Sequence, residues 1–161
     1  MSYRLKIHFI PNKCYGHNFR NISPSEWKKI SLFVRSLNYC AGCLNPFKLS
    51  DLEAHEEWKF KNGKQKIKHI VPLCKNCHRS VHIGRALNCG EKYFKDAVQH
   101  FRKVNKLSKK EYKIAYDKAF YKYNVRFNKK YKFSSTIEDA WVIAKKDREQ
   151  LESIIKNLKG L

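Results

Sequence analysis

Six residues of the types that hold metal ions fall in two short stretches: Cys40, Cys43, Cys74, Cys77, His78 and His82. Cys40-Ala-Gly-Cys43 and Cys74-Lys-Asn-Cys77 are two CxxC knuckles separated by thirty residues. Two such knuckles supply four thiolates, the full tetrahedral ligand set of a structural zinc ion. The gap is longer than a zinc ribbon uses. His78 and His82 are then left over. Their i, i+4 spacing puts both imidazoles on one face of a helix, as a second ion requires. Cys77 and His78 are about 100° apart around that helix, so they look in different directions. The pattern CKNCH also has the form of a covalent haem tether, but that chemistry needs export, and the second CxxC would then lack a partner. The spacing predicts two ions: one closed by cysteines, one open and held in part by histidines.

An open site needs at least a third ligand, and Leu52-Glu53-Ala54-His55-Glu56-Glu57-Trp58 supplies candidates. The elements that must position it are legible in outline. Leu52, Ala54, Trp58 and Phe60 alternate with polar neighbours, Asn62-Gly63 suits a tight turn, and Ile67 and Ile70 fall in a returning strand, which predicts a hairpin over 52–70. A short helix is expected from about Cys77 to Gly84. Upstream, alternation of Tyr3, Leu5, Ile7 and Phe9 predicts an N-terminal strand. Ser23-Pro24-Ser25-Glu26 has the signature of a helix start and predicts a helix over 24–36.

Downstream the pattern is helical. Gly90 precedes an apolar stripe from Phe94 to Val104, Ser108 and Glu111 form a capping box, and Ser135 with Glu138 is expected to open a last helix. That helix has heptad-like spacing interrupted by Arg148, which raises a homodimer through the C-terminal helix as an option. Between Phe101 and Phe133 aromatic residues interleave with Lys and Arg. Such mixing can bind single strands by stacking. Helical spacing assigns most of these rings to the core instead, with the lysines in water. The segments read as 1–38, an N-terminal strand and helix; 39–90, a metal-binding core; and 91–161, a basic helical region, all in one domain of the α+β class.

The chain has 161 residues, with 35 Lys and Arg against 14 Asp and Glu, a formal net charge of +21, and 42% hydrophobic residues. That is too apolar for a disordered basic tail, so a folded protein with a cationic surface is expected. Such a surface suits nucleic acid, because neutralised phosphates release condensed counterions. The opening MSYRLKIHFIP contains no apolar run of signal-peptide type and no stretch is long enough to cross a bilayer. A cytoplasmic setting and no membrane partner are therefore expected. There the six cysteines are not expected to form disulfides, and the paired CxxC spacing reads as a metal signal.

Taken together, a CxxC, a strand with a central histidine, a hairpin, and CxxCH followed four residues later by histidine resemble the HNH nuclease motif. That motif is a ββα-metal hairpin and helix gripping one ion. The likeness to an HNH subfamily of small bacterial and phage proteins extends to Asn18-Phe19-Arg20, Trp27, His55-Glu56-x-Trp58, the segment 73–84, Val104-Asn105 and Trp141. It implies a metal-dependent endonuclease hydrolysing phosphodiester bonds in DNA, most naturally double-stranded. It carries His55 onto the third ligand position beside His78 and His82, and Glu56 onto the general-base position. Two departures accompany it: Glu56 stands where relatives carry histidine, and the asparagine that steadies the base is replaced near Lys68 or His69. His69 is the reserve base. Strict alternation sends His55 and Glu56 to opposite faces, so both should reach one site only if the strand is bulged or ends there. Zinc is expected at the cysteines and a second divalent ion, Mg²⁺, Mn²⁺, Ni²⁺ or Zn²⁺, at the histidines. Imidazole-rich ligation suits Zn²⁺, Ni²⁺ or Mn²⁺ better than Mg²⁺. Arg79, Arg85, Lys129, Lys130 and Tyr131 are the expected nucleic-acid contacts. With base and asparagine altered, a non-cleaving binding, regulatory or inhibitor protein is the alternative.

Overall fold

The computed structural model describes residues 3–160, and its class is α+β. A two-stranded antiparallel hairpin is at the centre, β1 (Leu52–Lys61) paired with β2 (Lys64–Cys74). Its turn places Asn62 and Gly63 at φ of 51° and 68°, the left-handed pair that a two-residue hairpin needs. The returning strand runs four residues beyond the expected Ile70, to Cys74. The second cysteine knuckle therefore grows directly out of the sheet.

The hairpin contributes to two separate cores. In the first, Leu52, Val71 and Leu73 pack with Leu5, Val81, Phe101 and the buried cysteines 40, 74 and 77. In the second, Ala54, Trp58 and Ile70 pack with Phe19, Trp27, Ile30 and Val34. Most of the second set comes from α1 (Phe19–Ile22) and α2 (Pro24–Arg35), the latter with proline in its first turn as read from the sequence. Burial of each large aliphatic side chain here is worth about 2 kcal/mol.

After β2 come α3 (Lys75–Val81), α4 (Ile83–Asn88), α5 (Glu91–Asn105) and α6 (Lys109–Arg126). A two-residue strand, β3 (Lys132–Phe133), then adds in parallel to the start of β2, and α7 (Ile137–Lys159) follows. Ser108 and Glu111 form the expected reciprocal cap of α6. At α7 the cap is shifted by one residue, to Thr136 and Asp139, because the Ser135 hydroxyl accepts the Ile67 N–H at 2.8 Å and holds β2 instead. Ala144, Leu151 and Ile155, three of the heptad-spaced residues of α7, are buried within the chain itself.

The N-terminal strand is not formed. Residues 3–10 join no sheet; the alternation of Tyr3, Leu5 and Ile7 is satisfied by packing over the first core. The segment is pinned by the His8 N–H donating to the Val81 carbonyl at 2.8 Å and by the Asn105 side chain donating to the Leu5 carbonyl at 3.0 Å. It runs across the end of α3, and that brings a further histidine to the site. Among the described residues no helix is long and apolar enough to cross a membrane.

Candidate metal centres

Cys40, Cys43, Cys74 and Cys77 come together with their sulfurs within 4.8 Å of one another. They could hold a metal such as zinc, and their thiols are free. The first knuckle is fixed by backbone bonds: Cys40 N–H to the Asn45 carbonyl, Leu44 N–H to the Cys40 carbonyl, and Ala41 N–H to the Pro72 carbonyl of β2. Gly42 is required within it, since a Cβ there would be 2.6 Å from Leu5 Cδ2 and 3.0 Å from Cys77 Sγ. Two sulfurs already have partners beyond the quartet's thiols: Cys40 Sγ accepts the Cys74 N–H, and Cys77 Sγ is 3.2 Å from His100 Nε2, which donates in the tautomer that carries its proton there. Such N–H donors stabilise thiolate, the form that binds metal. Hydrogen bonding from the neighbouring Cys40 thiol draws the Cys43 thiol down to about 7.

His55, His78 and His82 form a second group, separate from the cysteines, with one ring nitrogen of each within 4.8 Å of the others. The ring centroids are 4.8 to 5.3 Å apart. α3 begins at Lys75, not at Cys77, and breaks at His82, yet the His82 N–H still reaches the His78 carbonyl, so the i, i+4 relation survives. His55 projects from the middle of β1 and is 1% exposed, and its Nε2 is buried with no hydrogen-bond partner among the described residues. An unsatisfied buried nitrogen costs about 1–3 kcal/mol unless something binds it, and a metal ion would. The three residues therefore fit such an ion.

Electrostatics agree with that donor role. Burial, and after it the neighbouring histidines, holds His55 well below its ordinary value. Burial likewise brings His82 down to about 3 and depresses His78 against the pull of Glu53. All three are neutral imidazoles at neutral pH, with lone pairs available. The Glu53 carboxylate meets Nδ1 of His78; as acceptor it keeps that proton in place and leaves Nε2 as the ligand atom.

No protein-family model, curated protein or solved structure matches the chain. The site thus stands on its own geometry.

His55 and Glu56 do alternate. β1 neither ends nor bulges between them, its one irregularity falling later, at Glu57/Trp58. Both nevertheless line one cleft, because β1 is the edge strand and the cleft wraps around that edge, with Arg20, His78, His82 and Arg85 also in its wall. Glu56 Oε1 accepts the Phe19 N–H at 2.9 Å, and burial pushes its carboxyl up to about 7. His69 is elsewhere. Its Nδ1 is 2.9 Å from the buried Asp147 of α7, whose other oxygen accepts the Ile70 N–H, so His69 serves to tie α7 to the free side of β2.

Of the expected nucleic-acid contacts, only Arg85 is in the wall of the histidine cleft. The Arg79 guanidinium is 3.8 Å from the centre of the Tyr93 ring, because helical rotation turns it toward α5 and away from His78. Lys129 and Lys130 are exposed in the connection from α6 to β3, and Tyr131 packs on Phe60 in the second core. The residue that the sequence pattern hid is His8. Its ring is 5.4 Å from that of His55 and 6.4 Å from that of His82, and burial brings it down to about 4. Its position in an alternating segment masked it; only the packing of that segment over α3 reveals it. Glu53, one of four polar residues in the motif stretch, carried no separate signal for its contact with His78.

Proposed function

We propose that the chain is a metal-dependent endonuclease of the HNH type that hydrolyses phosphodiester bonds in DNA, with structural zinc at the four cysteines. The observation that carries this reading is the unsatisfied Nε2 of His55 at the centre of three neutral imidazoles, in the wall of a cleft that also contains a protonatable carboxyl. His55, His78 and His82 would hold a divalent ion, which when bound stabilises negative charge on phosphate oxygens.

The chain's own groups supply the remainder. Arg20 and Arg85, both exposed in the cleft wall, orient the phosphodiester by charge. Glu56 accepts the proton of an attacking water at its carboxylate, and its value near 7 matches the working pH of a general base. The Phe19 N–H fixes one oxygen of that carboxylate and so its direction. Glu53 holds the His78 ring in one tautomer.

A non-cleaving nucleic-acid-binding protein is the competing reading. It is favoured by Glu56 projecting from the opposite side of β1 to His55 and being engaged by the Phe19 N–H. The test is strand cleavage of supercoiled plasmid and of single-stranded circular DNA with Mg²⁺, Mn²⁺, Ni²⁺ or Zn²⁺. The wild type is compared with His82→Ala and Glu56→Gln. Cleavage by the wild type and its loss in His82→Ala are expected. If the folded, zinc-loaded wild type cuts neither substrate with any of these ions, the endonuclease reading falls and the binding reading stands.

A further inference from the structure

A second concavity, of about 740 Å³, opens between residues 4–9, the hairpin and α6. Arg4, Lys59, Lys118, Lys122 and Arg126 are in its wall, and none of the five is ion-paired among the described residues. Its one carboxylate, Glu57, is already taken by Lys6 and Lys68, at 3.4 and 2.8 Å. The groove thus presents a surplus of positive charge that the protein itself does not neutralise.

The groove also has rings. Phe9 and Tyr123 both line it with centroids 5.4 Å apart, and the Arg126 guanidinium is above Phe60. Along α6 the row Tyr116, Phe120, Tyr123 and Phe127 continues ring against ring, with Phe120 42% and Phe127 37% exposed. Helical spacing would assign this row to a core, but its upper members face water. Unpaired cations beside exposed rings are the equipment for a strand whose bases are free to stack. A duplex offers such a groove only its backbone, because its bases face one another. The volume is that of a site for a ligand of drug size, enough for a nucleotide or two and too small for a double helix.

We propose that this groove binds a single nucleic-acid strand, holding phosphates on Lys118, Lys122 and Arg126 and stacking bases on Tyr123 and Phe9. His8, Phe9 and Trp58 line both the groove and the histidine cleft, so a strand leaving the groove at His8 enters that cleft. This last step rests on the endonuclease reading; strand binding itself does not. On this account the preferred substrate is single-stranded or locally unpaired.

The test is fluorescence anisotropy with labelled twelve-nucleotide probes of single-stranded DNA, single-stranded RNA and duplex DNA, without added divalent ion. Wild type, Lys118→Glu/Lys122→Glu, Tyr123→Leu and a control of equal charge change on α7, Lys145→Glu/Lys146→Glu, are compared after matching their thermal melts. A preference of about tenfold for at least one single strand over the duplex is expected, with about tenfold weakening in the α6 double variant and in Tyr123→Leu. The salt slope of single-strand binding should fall by about 1.4 in the α6 double variant, two phosphates' worth. Lys118→Gln/Lys122→Gln replaces the charge-reversed variant if that one melts early. Equal affinity for duplex and single strands, or equal weakening by the α7 control, overturns the proposal. Lost strand preference with cleavage intact sinks the groove alone, whereas intact strand binding without cleavage sinks the endonuclease reading alone.

Discussion

The cysteine quartet and the histidine trio are neighbours in sequence and opposites in environment. Cys77 and His78 are adjacent, yet Cys77 is fully buried in the first core while His78 opens onto the cleft. Three of the quartet's four cysteines are buried, packed under Leu5 and Gly42, and only Cys43 is partly exposed. The trio is set at the edge of an edge strand, with two arginines and a carboxyl around it. Four donors around an ion leave no coordination position; three leave at least one. Under the proposed function this difference gives stability to one centre and chemistry to the other, and each assignment can be broken separately.

The largest effect should follow from Cys74→Ser. Structural zinc carries about 10–16 kcal/mol in small zinc domains, so loss of one ligand should remove cooperative folding altogether, read as absence of a thermal transition in circular dichroism. His82→Ala should leave that transition within a few degrees and reduce cleavage at least about a hundredfold. If instead His82→Ala unfolds the chain, or Cys74→Ser merely slows cleavage, the two centres have been assigned the wrong way round. Gly42→Ala should cost about 1–3 kcal/mol in urea unfolding by forcing Leu5 and Cys77 apart, with cleavage per folded molecule unchanged.

A subtler contrast lies in pH. His8 has been brought down to about 4 from 6.5, so its contribution to stability is present above pH 6.5 and lost as pH falls through 4. Glu56 has been pushed up to about 7 from 4.5, so its contribution is present below pH 4.5 and lost as pH rises through 7. Glu56→Gln removes the second loss only. Relative to wild type, it should therefore gain on the order of 2 kcal/mol between pH 4.5 and pH 8 in chemical unfolding. A difference that stays flat over that range would place the Glu56 carboxylate in water and weaken its role as a base.

Much of this was legible in the sequence because the carriers of the signal are local. The Asn62-Gly63 turn, the Pro24 start, the Ser108/Glu111 cap and the two CxxC knuckles each act within a few residues, and each is found where its spacing put it. What was not legible depends on packing between distant segments. Residues 3–10 have the alternation of a strand but form none, since the partners of their backbone are Val81 and Asn105. His69 has the position of a base but is drawn off by Asp147, 78 residues away. His8 reaches the site only because that same N-terminal segment crosses α3. Glu56 shares the cleft without a bulge, which period-2 reasoning cannot foresee, because the cleft curls around an edge instead of lying on one face.

On the proposed reading, the stretch Cys74 to His82 divides its donors between two ions. The most direct test is metal content by mass spectrometry after reconstitution in excess Zn²⁺ and removal of loosely held ion. Two zinc ions per wild-type chain, and one in a folded His55→Ala variant, are predicted. One ion per chain in both proteins would contradict the account.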